Sequence, residues 1–330
     1  MKPVVIASGK VRPVAAARLQ EVADFRMHTG GGQPPEETWS AWLQEADALF
    51  ATGNIRVDEA LLAKAPKLKV VVQASVGYDN IDIDACTRRG IPVGNTPGVL
   101  VDATADLAFG LILCSARLLH VGWAHVKNGA WGQRKSMGFG VDLANKTLGI
   151  VGLGRIGAAV AARAQASRMK VIYHNRTPRL DDAALGVTYA SFDELLATSD
   201  FVLAMLPLSP ATTGLFDRHA FAKMKPTARF INVARGKIAD TEALYEALRT
   251  KQIAYAALDV TDPEPLPGDH PLLTLDNIMI TPHIGSATVE TRDAMAMLTV
   301  DNLLAGLAGN AMPACVNPEA MQKNRNEVDR

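Results

Sequence analysis

The sequence is poor in cysteine and in aromatic residues. Only 5% of its 330 residues are aromatic, and its three cysteines, Cys86, Cys114 and Cys315, lie far apart without a Cys-x-x-Cys pair. Neither a disulfide framework nor a zinc site is therefore expected, and we expect no bound metal. A chain with unpaired thiols suits a reducing compartment, so the expected location is cytoplasmic.

The sequence also lacks an excess of charge and any long apolar run. Its 34 Lys and Arg residues balance 34 Asp and Glu residues, which argues against the strong basic field of many nucleic-acid-binding proteins. No apolar run approaches the ~20 residues needed to cross a bilayer, and the richest stretch, Leu107 to Cys114, is short. We therefore expect neither a nucleic acid nor a membrane as a partner.

Short apolar runs alternate with amphipathic helical segments over most of the chain. Runs this short and this apolar suit strands that are buried on both faces of a parallel sheet. With helices such as Arg155–Ser167 and Thr241–Thr250 between them, they predict an α/β fold of the doubly wound type. The predicted strands are Val4–Ala7, Lys69–Ala74, Thr147–Gly152, Val171–Tyr173, Phe201–Leu206, Phe230–Val233, Ala254–Asp259 and Ile278–Thr281.

The length and two long helical patterns bear on domain organisation. At ~150 residues per domain, the chain predicts about two domains. Asp102–Lys127 and Thr288–Ala308 each end at a glycine-containing helix stop. Both could be core helices, but we favour connectors between two domains because they flank the glycine-rich region. The chain would then leave a first domain near residue 100 and return to it near residue 287.

The most informative local motif is a glycine-rich turn between a predicted strand and a predicted helix. It reads Gly152-Leu153-Gly154-Arg155-Ile156-Gly157. In such a motif the first glycine allows the tight turn, the second lets the backbone approach a pyrophosphate, and the third lets the helix pack against the strand. The helix N-terminus then offers N–H groups to the phosphates. The motif predicts a dinucleotide site, with a purely structural turn as the alternative.

The residues after the next predicted strand bear on the choice of cofactor. An NAD enzyme usually places Asp or Glu there to accept a hydrogen bond from the ribose 2′-hydroxyl. This chain reads Asn175-Arg176-Thr177-Pro-Arg179 and has no acidic residue before Asp181. A guanidinium can pair with a 2′-phosphate and stack on the adenine. Arg176, with Asn175 and Thr177 beside it, therefore predicts NADPH over NADH, unless it is only a solvated loop arginine.

Three later predicted strands are followed by side chains suited to keto-acid chemistry, namely Arg235, Glu264 and His283. Ligands bind beyond the carboxyl ends of the strands of a doubly wound sheet, so these distant residues can converge. A guanidinium can hold a carboxylate, an imidazolium can give a proton to an alkoxide, and a carboxylate can orient that imidazole. Each residue alone has an ordinary structural explanation, so the prediction depends on their joint placement.

Four segments, Gly152–Gly157, Asn232–Gly236, Asp262–Pro265 and Pro282–Ser286, together resemble the D-isomer-specific 2-hydroxyacid dehydrogenase family. The resemblance extends to residues 75–82, 95–97, 221–225 and 301–302, and so covers nearly the whole chain. Within the family it is strongest to glyoxylate/hydroxypyruvate reductases and 2-ketogluconate reductases.

The resemblance implies two Rossmann-like domains with a deep cleft between them. An NAD(P)-binding domain, residues 101–286, would be inserted into a discontinuous, flavodoxin-like substrate-binding domain, residues 1–100 and 287–330. It also implies a homodimer, with the long helix from Asp102 to Lys127 and the loop after it as the place to look for the contact.

Carried over by position, the resemblance implies roles for individual residues. Arg235 would bind the substrate carboxylate and carbonyl, Glu264 would tune the histidine, and His283 would be the proton donor. Backbone N–H groups of the loop at residues 76–77 would hold the substrate carboxylate. The positions that match the substrate site are Val76, Gly77, Arg235, His283 and Ser286, and those that match the cofactor site beyond the glycine turn are Thr104, Leu206, Pro207, Thr212, Val233, Ala234, Asp259 and Gly285.

Two details bear on the substrate. Formate dehydrogenases of the same family have Gln where this chain has Glu264, and formate oxidation needs no proton transfer to a carbonyl, so Glu264 indicates a hydroxyacid. Many glyoxylate/hydroxypyruvate reductases have a tryptophan in the loop before the nucleotide motif, where this chain has Gly138 or Phe139. Trp131 matches a different, earlier position. Loss of that ring would open the pocket and leave room for a sugar acid.

The expected function is NADPH-dependent reduction of a small 2-keto acid to the D-2-hydroxy acid, with glyoxylate, hydroxypyruvate and 2-ketogluconate as candidate substrates. Two alternatives stay open, a 3-phosphoglycerate dehydrogenase and a non-catalytic, nucleotide-sensing binding protein. Neither the extra C-terminal regulatory domain that many enzymes of the first kind carry nor a docking extension for the second is apparent in the sequence.

Overall fold

The structure, a computed structural model, describes residues 1–30, 34–52 and 55–321. The last nine residues of the predicted substrate-binding domain lie outside this range. The chain divides into two compact units, one made of Met1–Leu100 with the segment from Thr288 onward, the other of Val101–Ala287. Each unit has its own parallel sheet.

The first unit is built around a sheet that has five strands in the described part of the chain. The strands are β1 (Val4–Ala7), β2 (Asp24–Met27), β3 (Ala48–Ala51), β4 (Val70–Gln73) and β5 (Val93–Gly94), and the helices are α1 (Pro13–Val22), α2 (Glu36–Glu45), α3 (Glu59–Lys64), α4 (Ile83–Arg88) and, after the chain returns, α11 (Val289–Leu307). The strand order is β2-β1-β3-β4-β5, with parallel pairing throughout.

The second unit contains the glycine-rich motif. Its helices are α5 (Val101–Arg117), α6 (Leu119–Lys127), α7 (Arg155–Ala166), α8 (Phe192–Thr198), α9 (Arg218–Lys223) and α10 (Thr241–Arg249), and its strands are β6 (Thr147–Val151), β7 (Lys170–His174), β8 (Thr188–Tyr189), β9 (Phe201–Ala204), β10 (Arg229–Asn232), β11 (Tyr255–Leu258) and β12 (Ile278–Ile280). These seven strands form a parallel sheet in the order β12-β11-β10-β9-β6-β7-β8.

Both faces of the second sheet are covered by apolar side chains, which confirms the predicted doubly wound α/β class. On one face, the fully buried Phe216, Phe221 and Phe230 pack together, with the Phe216 and Phe230 ring centroids 4.8 Å apart. On the other face, Ile112 of α5 belongs to the cluster around Tyr173. Strands β9 and β10 are buried along their whole length, as expected for central parallel strands.

An aspartate in each unit joins two neighbouring strands in the same way. Asp47, which precedes β3, accepts a hydrogen bond from the Val4 N–H at 2.9 Å, and Asp200, which precedes β9, accepts one from the Thr147 N–H at 2.9 Å. Lys69 pairs with the first aspartate at 3.0 Å and Lys225 with the second at 3.1 Å. The first backbone N–H of β1 and of β6 is thereby satisfied by a charged acceptor.

The prediction of one continuous helix from Asp102 to Lys127 is wrong. Leu118 has a left-handed backbone (φ 53°) and separates α5 from α6, which are bent by 62°. The Val141 N–H donates to the Ala116 carbonyl at 2.7 Å. This contact from a distant loop occupies an acceptor that a continuing helix would use, so tertiary structure overrides local helix propensity here.

Four short strands were not predicted. The edge strand β2 carries alternating charged residues, β3 is apolar but lacks β-branched residues, and β5 and β8 have two residues each. None of them is therefore an apolar, β-branched run of the kind that predicts a buried strand. No single helix in the described ranges is long and apolar enough to cross a membrane. The bent pair of α5 and α6 together reaches that length and apolar composition.

Candidate active site

The glycine-rich turn lies where the strand order of the second sheet reverses. Strand β6 lies between β9 and β7, so the chain builds outward from β6 to β8 and then returns to the other side of β6. Such a switch point leaves a crevice at the carboxyl ends of the central strands, where ligands bind in doubly wound folds. Gly152 follows β6 directly, and α7 begins at Arg155.

Two of the three motif glycines are required by the fold itself. Gly152 has a φ of +100°, and a Cβ there would collide with the Met205 carbonyl oxygen. A Cβ on Gly157 would lie 2.8 Å from the Gly152 carbonyl oxygen, where α7 packs on β6. A side chain at either position would therefore displace backbone atoms.

Gly154 is different, because nothing in the protein prevents a side chain there. No atom lies within 4 Å of the Cβ position, and the φ of −88° is open to any residue. The missing side chain leaves open space directly before the N-terminus of α7, where free N–H groups favour an anion. The turn thus fits a dinucleotide pyrophosphate, and Gly152–Gly157 would hold it.

Asn175 holds the glycine turn in place. Its side-chain oxygen accepts a hydrogen bond from the buried Leu153 N–H at 2.7 Å. Arg179 donates to the Leu153 carbonyl at 3.1 Å while its guanidinium pairs with both oxygens of Asp181. Arg179, which follows Arg176 in the same loop, is thereby held by an acidic partner.

Arg176 and Thr177 have no such partner. Both are exposed, and within the described part of the chain neither has a hydrogen bond or an ion pair. Arg155, the first residue of α7, is likewise exposed, whereas Ile156 is half-buried. The turn therefore carries two cationic side chains that are not neutralised by a carboxylate, Arg155 and Arg176.

The other predicted cofactor positions border this crevice within the second unit. Leu206 lies against Gly152, and Thr212 donates a hydrogen bond to the Pro207 carbonyl at 2.8 Å, which holds the loop after β9. Thr104 of α5 lies beside Gly285, 3.4 Å from its Cβ position. Val233 and Ala234 directly follow β10 and are buried.

Arg235 lies at the end of β10 in a backbone fixed on both sides. The buried Asn232 accepts from the Ala234 N–H at 3.0 Å and donates to the Arg235 carbonyl at 2.9 Å. A Cβ on Gly236 would collide with the Thr261 carbonyl. The chain path is therefore set, and the guanidinium donates to the Ala234 carbonyl at 2.8 Å.

Glu264 and His283 are hydrogen-bonded, with 2.7 Å between Oε1 and Nδ1. An ionised carboxylate can only accept, so Nδ1 carries the hydrogen and Nε2 is left for another partner. The side chains are 42% and 46% exposed, respectively. They follow β11 and β12, and the strand order β12-β11-β10 places these two strands and β10 side by side, so the three predicted catalytic residues come from three consecutive strand ends.

Asp259 holds the turn that carries His283. Its buried carboxylate accepts hydrogen bonds from the N–H groups of Ile284 and Gly285, both at 2.8 Å, and from the Thr281 hydroxyl at 2.6 Å. His283 has a left-handed backbone (φ 54°), which is unfavourable for a residue with a Cβ. The family resemblance gave Asp259 as a cofactor position, and the sequence analysis missed Thr281, since the bonds to residues 281–285 appear only in three dimensions.

The remaining predicted substrate residues are divided between the units. Ser286 is half-buried and closely follows His283 in the second unit, while Val76 and Gly77 are half-buried in the loop after β4 of the first unit. Among residues 1–30, 34–52 and 55–321, no group of three His, Cys, Asp or Glu side chains could hold a metal ion.

Comparisons with known proteins agree with this geometry. The model of the D-isomer specific 2-hydroxyacid dehydrogenase NAD-binding domain matches residues 109–285. Glyoxylate reductase of Pyrococcus furiosus is 40% identical over 98% of this chain and 97% of its own. Glyoxylate reductase/hydroxypyruvate reductase of Mus musculus is 43% identical over 95% of this chain and 99% of its own.

A solved structure shows the same likeness. The NADPH-dependent glyoxylate/hydroxypyruvate reductase of Sinorhizobium meliloti, in complex with NADP and malonate, has a TM-score of 0.88 and 32% identity, with 97% of this chain and 98% of that chain covered. The chain therefore belongs to the D-isomer specific 2-hydroxyacid dehydrogenase family of NAD(P)-dependent oxidoreductases.

Proposed function

We propose that this protein reduces a small 2-keto acid to the D-2-hydroxy acid with NADPH as the preferred cofactor. The observation that carries the proposal is the Glu264–His283 hydrogen bond, which leaves Nε2 available at the carboxyl ends of the strands. The similar proteins named above are glyoxylate and hydroxypyruvate reductases, which supports glyoxylate and hydroxypyruvate as substrates.

In this proposal, His283 Nε2–H gives its proton to the carbonyl oxygen of the substrate. Glu264 stabilises the imidazolium form before the transfer and keeps Nδ1 protonated after it. Arg235 binds the substrate carboxylate and polarises the carbonyl, and the loop of Val76 and Gly77 also binds the carboxylate. The bound cofactor supplies the hydride that reaches the carbonyl carbon.

The preference for NADPH rests on the charges around the glycine turn. Arg176 is exposed and has no partner in the described ranges. The acidic Asp181 in the same loop is paired with Arg179. A 2′-phosphate would therefore meet the guanidinium of Arg176, while the carboxylate of Asp181 is already paired. NADH would lose that pair and bind more weakly.

The width of the substrate pocket bears on 2-ketogluconate. Gly138 has a φ of +82° and Phe139 is fully exposed, so neither supplies a fixed ring within its own protomer. We include 2-ketogluconate among the candidate substrates for this reason.

We also propose that the protein is a cytoplasmic homodimer joined through α6 and the loop that follows it. Large apolar side chains of this segment are exposed, among them Trp123 at 67%, Trp131 at 71% and Phe139 at 100%. Burial of such a patch is a common reason for self-association. The change Trp123→Glu would place a charge in the interface, and light scattering should then show a shift from dimer to monomer.

The first test is the initial rate of NADPH and of NADH oxidation by the purified protein with glyoxylate, hydroxypyruvate, 2-ketogluconate and 3-phosphohydroxypyruvate. We expect turnover with NADPH and at least one of the first three acids. Turnover only with 3-phosphohydroxypyruvate, or cofactor binding without any turnover, would refute the proposed function.

The residue roles are tested by two variants. His283→Ala should bind NADPH as the wild type does yet lose most of its turnover, because the proton donor is gone; His219→Ala, at an exposed helical position, is the matched control. Arg176→Asp should shift the preference toward NADH, since a carboxylate repels the 2′-phosphate. An unchanged ratio of the two kcat/KM values would contradict the contact with Arg176.

A further inference from the structure

Side-chain amides hold the loop that follows β4 in the first unit through hydrogen bonds. Gln73, the last residue of β4, is 3% exposed, and its Nε2 lies 2.9 Å from the Gly77 carbonyl oxygen. Gln73 and Asn80 also form a reciprocal amide pair, with bonds of 2.8 and 2.9 Å. Asn80 is anchored in turn by a bond of 2.7 Å to the Ile55 carbonyl.

A second amide approaches the same loop from the segment after β5. The Asn95 Nδ2 donates to the Val76 carbonyl at 2.9 Å, and the neighbouring Thr96 N–H donates to the Ser75 carbonyl at 3.0 Å. The Asn95 backbone carbonyl accepts from Asn302 of α11 at 2.9 Å. Three successive carbonyls, those of Ser75, Val76 and Gly77, are therefore held by donors of the first unit.

The held carbonyls also fix the direction of the neighbouring N–H groups. In a trans peptide, the carbonyl of one residue and the N–H of the next point in opposite directions. With the carbonyls of Ser75 and Val76 drawn toward the protein, the N–H groups of Val76 and Gly77 point the other way. Neither N–H has an acceptor among the described residues, so both are available to a ligand.

We propose that Asn95 and the Gln73–Asn80 pair are positioning residues that fix these two N–H groups as the receptor for the substrate carboxylate. This inference rests on the proposed function. Amides suit the task because they hold carbonyls without placing a negative charge beside a bound anion. Two rigid N–H donors then meet the carboxylate at no cost in loop ordering.

The inference predicts a particular kinetic signature. The carboxylate stays bound in both the ground state and the transition state, so a misdirected N–H group weakens both equally. For Asn95→Ala we expect KM for the keto acid to rise about tenfold, the effect of one weakened charge-assisted hydrogen bond. We expect kcat at saturation to stay within about threefold and KM for NADPH to stay unchanged.

Two further variants and one inhibitor sharpen the test. Gln73→Leu should act like Asn95→Ala. Ser75→Ala removes the hydroxyl that donates to the Gly77 carbonyl and accepts from the Gln73 amide, and it should act in the same direction but less. Oxamate, an unreactive analogue of a 2-keto acid, should lose competitive affinity by the same factor as KM rises. Ser75→Ala removes a single oxygen from a half-buried site and keeps the test decisive if a larger change prevents folding.

Asn317→Ala is the matched control. Asn317 is buried in the same unit and makes bonds of the same kind, from its Nδ2 to the Ile91 carbonyl at 3.1 Å and from the Val93 N–H to its Oδ1 at 2.7 Å. It does not touch the loop of residues 75–80. Its loss should lower the melting temperature without raising KM for the keto acid.

The outcomes distinguish failure of the positioning role from failure of the proposed function. If the wild type reduces a keto acid and the variants keep its KM, the positioning role is refuted while the proposed function stands. The same holds if Asn95→Ala lowers kcat and the melting temperature as its main effects, since that is a structural role. If the wild type reduces no keto acid with either cofactor, the proposed function itself fails.

Discussion

The change Asp259→Asn tests how the protein holds His283. The carboxylate of Asp259 is 2% exposed and accepts three hydrogen bonds from residues 281–285. Asparagine keeps one oxygen, so the Oδ1 bonds to Thr281 and Ile284 can survive. The amide nitrogen that replaces Oδ2 then faces the buried N–H of Gly285, donor against donor.

The expected loss of stability follows from the loss of the hydrogen bond between the Gly285 N–H and Asp259. A hydrogen bond to a charged group contributes ~1.5–3 kcal/mol, and an unsatisfied buried donor is penalised on a similar scale. We therefore expect the variant to lose ~2–3 kcal/mol of stability. For a unit of this size that lowers the melting temperature by ~4–12 °C. Because His283 has an unfavourable positive φ, the loosened turn should also relax and lower kcat by at least about tenfold.

The assay is a thermal unfolding curve combined with steady-state kinetics. Asp269→Asn is the control, because it removes the same charge from an exposed loop position and should change stability by less than ~0.5 kcal/mol. A variant that melts like the wild type and differs only in a raised KM for NADPH would refute the reasoning. Such a result would instead indicate that Asp259 acts on the cofactor, as the sequence alone suggested.

Three further predictions concern the glycine turn, Asp200 and Cys86. Gly154→Ala should keep the melting temperature and lose NADPH affinity, measured by calorimetry, whereas Gly152→Ala should lose both; a destabilised Gly154→Ala would contradict the open space at that position. Burial opposes ionisation of Asp200, but the Thr147 N–H and Lys225 outweigh it and hold its pKa below the ordinary value. Its stabilising effect is then present above pH ~4 and lost as pH falls through the lowered pKa, so the stability gap between Asp200→Asn and the wild type should narrow as the pH falls below ~4; a constant gap would contradict this. Burial raises the pKa of Cys86 to about 12, so a thiol reagent at pH 8 should modify Cys86 only after unfolding, as mass spectrometry of the native protein can check.

The fold class and the nucleotide motif could be predicted because their signals are local. Buried parallel strands require short apolar runs, and eight predicted strands overlap observed ones. Three predicted helices, Arg155–Ser167, Thr241–Thr250 and Thr288–Ala308, match α7, α10 and α11 to within a residue or two. The spacing Gly152-x-Gly154-x-x-Gly157 identifies the turn in the sequence because the whole motif lies within six residues between a strand and a helix. The family resemblance depends on such short motifs as well.

The tertiary structure decided the features that depend on partners distant in the sequence. The helix from Asp102 ends at Arg117 because Val141, 25 positions beyond Ala116, bonds to that residue's carbonyl. Asp259 could be assigned to the turn of His283 only once β11 and β12 were side by side. Likewise, the amides of Gln73 and Asn95 become informative only when their carbonyl partners are known. Apolar periodicity and glycine spacing are written along the chain, whereas the direction of a hydrogen bond is set by what the fold places opposite it.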